Sequence, residues 1–453
     1  MKQTILFDTY TAFKEQSSEV IPALINTNTD VLPEIFRNFK YPISSCPVIV
    51  DKELTQKLTE VSTLIPKLLH KIPRLYFKDD AQEIADFYFD GDETIAQFSM
   101  MCQEKEVPVS CRLDLSLTTT GFKVLEVNMG SSIGGMEFQN FEPIIRNTHN
   151  ILSNVNTGKQ FNYRKTQTLY IKFVVEQILA YTQTNSAEIN IFLVSREDSE
   201  KEYNEVAKNF FDALLKKELQ RIGKRGNVYM DTVLSLKMKS DGLYFENKNM
   251  HAVLILDFSL NTISPDLFRA FIMNSIYFPD HLGTTFIRDK RNLALLRRLA
   301  NENKFEGTQN ELVLQYIPWT ELVTDADVIY ENETHNIIKL LKTNKDKFVI
   351  KISDGLQGND VFIGKFMSIT NWENAIENAL ATKKYIAQEF SDSLNLLAPN
   401  KENEWTPHKL VWGSFGFGDT YAGSWVRMSP VEKTTGVINS ATGAVEAIVY
   451  EQI

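Results

Sequence analysis

The feature that most constrains this chain is a pair of alternating polar and apolar segments, residues 112–118 and 122–128, around Thr119-Thr120-Gly121. Alternation with a period of two is typical of a β-strand. A three-residue hairpin loop often ends in a residue with positive φ, which glycine adopts without steric cost. The pattern therefore predicts an antiparallel hairpin in which Thr118 pairs with Phe122.

This register sets Asp114 opposite Glu126 and Arg112 opposite Asn128, with all of these side chains on one face of the hairpin. A slip of one residue would turn both acids into the core, so the register is strongly specified. The other face is then an apolar layer that suits a buried core. That layer consists of Leu113, Leu115, Leu117, Leu125 and Val127.

Two carboxylates that face each other on a sheet repel unless a cation lies between them. Carboxylate and amide oxygens suit Mg²⁺, which combines a few protein oxygens with substrate phosphates. Arg112 beside them is able to hold a phosphate or carboxylate oxygen. An exposed hairpin with ordinary surface salt bridges explains the same pattern. The Gly/Ser-rich residues 129–135 favour the ligand site, because glycine lets the backbone approach a ligand closely.

A second group of polar residues lies near the end of an apolar strand, residues 348–352. Lys351 is in this strand, and a loop that contains Gly355 and Gly358 follows it. Such a loop covers an anion with its N–H groups while the lysine reaches into a cleft. The Walker A sequence is absent, and an ordinary turn is the alternative interpretation.

Two further strands carry candidate side chains. The predicted strand 384–390 could offer a backbone donor and acceptor to an adenine edge, with Gln388 or Glu389 adding a side-chain contact. Arg427 shares a strand face with Trp425. Either segment alone is also consistent with a strand that binds nothing.

Length and charge limit the class of protein. A chain of 453 residues allows two or three domains, and its net charge of −10 argues against a nucleic-acid or anionic-membrane partner. Its three cysteines have no metal-ligand or disulfide spacing, which fits a reducing cytoplasm. No signal peptide or membrane-spanning segment is predicted. The oligomeric state stays open, a homodimer included.

The order of predicted elements indicates an α/β (α+β) protein in three parts. Residues 1–160 form a helical segment and the hairpin, residues 161–285 form a small α/β domain, and residues 286–453 become β-rich after a basic helix at 288–303. The α/β part lacks GxGxxG, so a structural or substrate-binding role is favoured over a dinucleotide site.

In this order the pieces resemble the ATP-grasp ligases, specifically the circularly permuted group that includes the synthetase domain of glutathionylspermidine synthase. The family pattern of Arg-x-Asp, then Glu-x-Asn after a short hairpin, matches Arg112, Asp114, Glu126 and Asn128. The resemblance covers most of residues 100–450. The sequence departs from the family pattern in that it shows no amidase segment, no Arg-Glu-Gly lid and no Thr-Pro turn after Asn128. Glutathione and polyamines are therefore unsupported as substrates.

The resemblance implies a role for each candidate residue and makes residues 286–453 the nucleotide-binding subdomains. It implies Mg²⁺ binding by Asp114, Glu126 and Asn128; ATP phosphate binding by Lys290 and Lys351; a phosphate lid at 353–360 with Gly355 and Gly358; an adenine hinge at Gln388 and Glu389; and contacts of Arg112 and Arg427 with the transferring phosphoryl or acyl group.

The implied activity is that of a cytoplasmic, ATP- and Mg²⁺-dependent ligase. It joins a small-molecule or peptide carboxylate to an amine through an acyl phosphate and releases ADP and phosphate. Two alternatives remain open, a nucleotide-binding scaffold without catalysis and an ATP-dependent phosphotransferase that needs no amine.

Overall fold

The computed structural model describes residues 8–16, 21–153, 160–256, 263–355, 360–400, 402–433 and 436–453. These residues fold into helices and several separate β-sheets, so the mixed α/β class is as predicted. Among them, no helix has the length and apolar character needed to cross a membrane. The division into three parts stays a prediction.

The α-helices of the described residues, in chain order, are α1 (Thr9–Gln16), α2 (Lys52–Leu69), α3 (Ile72–Tyr76), α4 (Ala81–Tyr88), α5 (Glu93–Gln103), α6 (Glu142–Thr148), α7 (Asn150–Ser153), α8 (Thr166–Thr182), α9 (Lys201–Arg221), α10 (Pro265–Ile272), α11 (Leu282–Ile287), α12 (Asn292–Asn301), α13 (Gln309–Tyr316), α14 (Ile337–Thr343) and α15 (Ile369–Thr382).

The strands of the same residues are β1 (Val48–Val50), β2 (Ser110–Thr118), β3 (Gly121–Met129), β4 (Phe161–Asn162), β5 (Ile191–Val194), β6 (Val228–Asp231), β7 (Leu236–Lys239), β8 (Gly242–Phe245), β9 (Lys248–Met250), β10 (Ala252–Ile255), β11 (Thr320–Leu322), β12 (Asp327–Tyr330), β13 (Glu333–Asn336), β14 (Phe348–Ile352), β15 (Val361–Ile363), β16 (Tyr385–Glu389), β17 (Leu396–Pro399), β18 (Trp405–Phe417), β19 (Thr420–Pro430) and β20 (Val445–Gln452).

The largest sheet has eight strands and joins distant parts of the chain. Its order is β1-β20-β19-β18-β2-β3, with β17 beside β18 and β4 beside β20. One face packs on α2, whose buried residues recur at helical spacing, as Leu54, Leu58, Val61 and Ile65 do. The side chain of Asp51 caps this helix by accepting from the N–H of Leu54 at 2.8 Å. The opposite face carries the polar residues of the hairpin beside a second apolar cluster, which includes Phe415, Trp425 and Ile448.

Two smaller sheets matter for the site and its surroundings. The antiparallel sheet β11-β16-β14-β15 carries the predicted lysine strand and packs on α14 and α15. The parallel sheet β10-β5-β6, with α9 against it, forms the predicted small α/β unit. The predicted basic helix at 288–303 begins only at Asn292, so Lys290 precedes the helix instead of lying in it.

The hairpin keeps the predicted pairs but reaches them by a different path. Thr118 pairs with Gly121 instead of Phe122, so the turn has two residues, and Gly121 takes a φ of +102°. A β-bulge at Leu125 then restores the predicted pairing of Asp114 with Glu126 and of Arg112 with Asn128.

The bulge also corrects one part of the predicted core. Leu125 faces the cavity described below, and Val124 takes its place in the apolar cluster beneath the sheet. The extra residue of a bulge reverses which side chains point to each face of the strand. The prediction that Leu125 belongs to the core face is therefore wrong.

Candidate active site

A cavity of about 510 Å³ lies between the eight-stranded sheet and the four-stranded sheet. Strands β2, β3, β18 and β19 provide one wall, and β14, β15 and β16 provide the other. The volume is in the range of ordinary small-molecule sites, about 300–1,000 Å³. Both groups of residues singled out in the sequence line this cavity, although more than 200 residues separate Leu125 from Lys351.

Asp114 is the buried centre of a group of two guanidinium side chains. The Nε of Arg112 donates to its Oδ1 at 2.8 Å, and a terminal nitrogen of Arg427 donates to its Oδ2 at 2.5 Å. Burial alone would raise the pKa of the Asp114 carboxyl, but the charges of Arg112 and Arg427 outweigh it and hold that pKa well below its usual range. Asp114 is therefore ionised at neutral pH.

Arg427 reaches Asp114 from a strand that is not its neighbour, across β18 and beside Gly413. In the sheet, β18 lies between β2 and β19, and Gly413 of β18 pairs with Asp114 on one side and Trp425 on the other. Because Gly413 has no side chain, the ring of Trp425 from β19 occupies the space above β18 at this point, where a Cβ atom would lie 1.7 Å from its Cζ3. Glycine inside a strand often marks such a close approach.

Glu126 and Asn128 lie beside this group and are more open to the cavity. The side-chain amide of Asn128 donates to Glu126 at 3.3 Å, and the Nζ of Lys290 lies 3.7 Å from the other Glu126 oxygen. No group of three His, Cys, Asp or Glu residues within the described ranges could hold a metal ion. The oxygens of Asp114, Glu126 and Asn128 instead make a set of two carboxylates and one amide.

Lys351 enters the cavity from the opposite sheet. Its Nζ donates to Gln388 Oε1 at 2.8 Å and to the carbonyl oxygen of Leu125 at 3.2 Å. Burial lowers the pKa of Lys351 to about 8, with Glu126 opposing this shift and Lys290 adding to it. The lysine thus bridges the two sheets at the bulge of the hairpin.

Both the oxygen and the nitrogen of the Gln388 side-chain amide are hydrogen-bonded within the protein. Its oxygen accepts from Lys351, and its Nε2 donates to Thr320 Oγ1 at 3.1 Å. The N–H of Glu389 donates to the carbonyl of Trp319 at 2.8 Å, and that of Phe390 donates to Lys347 at 2.7 Å. Backbone donors for an adenine edge are therefore already used at 389 and 390, and the hinge role of these residues stays a prediction.

Replacing Gln388 by leucine is expected to lower the free energy of unfolding by about 1–3 kcal/mol, because the buried Lys351 ammonium loses its side-chain acceptor and the buried Thr320 hydroxyl oxygen loses its donor. Urea unfolding measures this change. Gln388→Glu serves as the comparison, since it keeps an acceptor for Lys351. Equal stability of the leucine variant and the wild type would contradict this role of Gln388.

Lys290 binds the beginning of the predicted phosphate loop. Its Nζ donates to the carbonyl oxygen of Gly355 at 2.6 Å, and its N–H donates to Ser353 at 3.2 Å. The structure thus brings Lys290 next to Glu126 and Gly355, which both line the cavity. Gly358 lies outside the described residues, as do residues 356–359 as a whole.

The Gly-rich stretch after Asn128 has a structural reason that sequence reasoning missed. A Cβ atom at Gly130 would lie 2.4 Å from Asp280 Oδ1, and one at Gly135 would lie 2.6 Å from the ring of Trp425. Both glycines have positive φ, +109° and +87°. The packing of the protein's own side chains therefore requires glycine at both positions, whether or not a ligand binds nearby.

Comparisons with known proteins add little to this geometry. No family model matches the sequence, and no curated protein matches it. Among solved structures, the chain is similar to a candidate gamma-glutamylcysteine synthetase from Methylobacillus flagellatus KT, with a TM-score of 0.43 and 12% identity over 87% of this chain and 88% of that chain. A likeness this slight carries no argument about function, which rests on the site itself.

Proposed function

We propose that this chain is an ATP-dependent carboxylate–amine ligase with an ATP-grasp arrangement. One observation carries the proposal: the cavity between two sheets has Arg112, Asp114, Glu126 and Asn128 on one wall and Lys351 on the other. The acid hairpin precedes the four-stranded sheet in the chain, and this order supports the circularly permuted form of the arrangement.

The donor set fits a magnesium nucleotide. Asp114, Glu126 and Asn128 would hold Mg²⁺, since two carboxylates and an amide oxygen suit this ion when phosphates and water complete its shell. Asp114 Oδ1 accepts one guanidinium bond, from Arg112 Nε, and has a second lone pair for another partner, whereas Oδ2 accepts from both Arg112 and Arg427. The bound ion would neutralise charge on the triphosphate. Lys351 would bind ATP phosphates from the other wall, and Lys290 would bind them from its place between Glu126 and Gly355.

The reaction needs charge neutralisation more than side-chain acid or base chemistry. A substrate carboxylate attacks the γ-phosphorus of ATP, which gives an acyl phosphate and ADP. An amine then attacks the acyl carbon, phosphate leaves, and the amine loses a proton as the amide forms. Arg112 and Arg427 would neutralise the negative charge that develops on the transferring group.

The test is ADP release from wild-type protein with Mg²⁺, ATP and a panel of carboxylates and amines. We expect release that requires both a carboxylate and an amine. Binding of Mg-ATP without ADP release under any pairing would favour the scaffold, and a stable phosphorylated product made without amine would favour the phosphotransferase.

Two variants of the same kind sharpen this test. We expect Glu126→Gln to lower the rate about 10²–10³-fold, since it removes one electrostatic contact of the site. Glu373→Gln is the matched control, because Glu373 is an exposed carboxylate on α15 outside the cavity. Equal rates for the two variants would contradict the place of Glu126 in the site.

The pH dependence should follow the charge of Lys351. Since burial lowers its pKa to about 8, the side chain is charged below that pH and neutral above it. We therefore expect kcat/KM for ATP to fall as the pH rises through about 8, because this ratio reports the ionisation of the free enzyme. Lys351→Arg should remove this inflection, since arginine stays protonated. A flat wild-type profile between about pH 7 and 9 would contradict the assignment.

A further inference from the structure

Trp425 has a fixed position at the centre of the cavity wall. It lies on β19, is only 4% exposed and stacks on Phe415 and Phe138, with ring centroids 5.3 and 5.9 Å away. Its Nε1 donates to Glu446 Oε2 at 2.7 Å, and the Ser440 hydroxyl donates to the other oxygen of Glu446. The indole is thus held at its edge as well as its faces.

Two glycines make room for this ring. A Cβ atom at Gly413 would lie 1.7 Å from Trp425 Cζ3, and one at Gly135 would lie 2.6 Å from Cη2. Real side-chain atoms do not approach so closely, so either glycine would displace the ring if it carried a methyl group. Gly135 and Gly413 therefore both leave the space that the ring of Trp425 fills.

Both arginines of the site lie against this ring. The guanidinium carbons of Arg112 and Arg427 are 5.2 and 5.6 Å from the ring of Trp425, within the range of cation–π attraction. The Nε of Arg427 is buried and has no hydrogen-bond acceptor among the residues that the structure describes. The negative face of the indole therefore adds to the attraction that the carboxylates of Asp114, Glu446 and Glu126 exert on this guanidinium.

We propose that Trp425 is a positioning residue that holds Arg112 and Arg427 side by side, with Glu446 fixing the angle of its ring. The inference rests on the proposed function, in which Asp114 binds a metal ion. Asp114 is the carboxylate that both guanidiniums share, so a metal ion held by Asp114 would weaken both contacts at once. The ring then keeps two like charges adjacent and ready to meet the transferring group.

The expected signature is a loss of kcat with little change in the KM for ATP, because the arginines act on charge that develops during the reaction. We expect Trp425→Leu to lower kcat for ADP release about 10- to 100-fold and Trp425→Phe, which keeps a smaller ring, to lower it about threefold. Trp412→Leu is the matched control. Trp412 is equally buried but packs on Phe122 at the opposite face of the sheet, so its loss should affect stability and not kcat.

A double-mutant cycle separates positioning from general structural support. If Trp425 acts through the arginines, Trp425→Phe should add less than a twofold loss of kcat when Arg427 is already replaced by lysine. Wild-type kcat in folded Trp425→Phe, or equal losses in both backgrounds, would overturn the inference while leaving the ligase proposal intact. Absence of ADP release from the wild type with any substrate pair would instead overturn the proposed function and this inference with it. The cycle uses phenylalanine, so it stands even if the leucine variant does not fold.

Discussion

Asp114→Asn should lower the free energy of unfolding by about 3–5 kcal/mol at pH 7, because it leaves two guanidiniums in a buried site without their shared anion. Both Arg112 and Arg427 are nearly buried, with side-chain exposures of 13% and 11%. Guanidinium chloride unfolding measures the change. Asp392→Asn is the matched control: the carboxylate of Asp392 also pairs with two cations, Lys365 and Lys409, but is half-exposed, so each pair should contribute no more than about 1 kcal/mol.

The difference in unfolding free energy between wild type and Asp114→Asn should depend on pH, and the direction of the change follows from the pKa of Asp114. The folded-state pKa of Asp114 lies below that of an unfolded aspartate, about 3.9. Its stabilising contribution is therefore fully present above about pH 4 and is lost as the pH falls through the folded-state value. The stability difference between wild type and Asp114→Asn should shrink in acid. A difference that grows as the pH falls would show that Asp114 is not the anion of this group.

Lys351→Met is expected to lower the rate of ADP release about 10²–10³-fold while changing the free energy of unfolding by no more than about 2 kcal/mol. The activity falls because a cation on the nucleotide wall is lost. The fold persists because burying methionine does not carry the free-energy cost of burying a charged lysine, the cost that lowers the pKa of Lys351. This gain offsets the lost hydrogen bond to Gln388.

Two measurements and one control test this separation. Steady-state ADP release gives the rate, and urea unfolding gives the stability. Lys123→Met is the control, because Lys123 lies on β3 but donates to the carbonyl of Gln315 away from the cavity. Wild-type activity in Lys351→Met would contradict the proposal that Lys351 binds the nucleotide. A rate loss in Lys123→Met would show that the assay responds to any change in the hairpin.

The hairpin was predictable because its constraint is local. Burying Asp114 or Glu126 in the core would be prohibitive, so the alternation alone selects which residues pair. The turn was less predictable, because a two-residue turn with a bulge and a three-residue loop without one give the same pairing at Asp114. The two arrangements differ in the faces that residues 122–125 take. The bulge places Phe122 and Val124 in the apolar cluster, whereas the loop without a bulge would turn Lys123 and Leu125 to that side.

The partners of the hairpin were not predictable from local pattern. Nothing near Asp114 indicates that Gly413 lies next to it or that Arg427 reaches it across β18. Strand pairing between distant segments depends on the packing of the whole sheet, which one sequence does not encode at any single position. The glycines at 135 and 413 were visible signals, but their common cause, Trp425, appears only in three dimensions.

The eight-stranded sheet also sets the order in which the protein can mature on the ribosome. Asp114 and Arg427 are 313 residues apart, so Arg427 emerges roughly 15–60 s after Asp114 at ordinary rates of synthesis. Until then β2 presents an unpaired edge, and its aspartate lacks one of its two cations. Because β18, β19 and β20 all come late, a nascent chain that stalls before them carries an aggregation-prone hairpin. Throughout that interval the edge of β2 is open to pairing with strands of other chains.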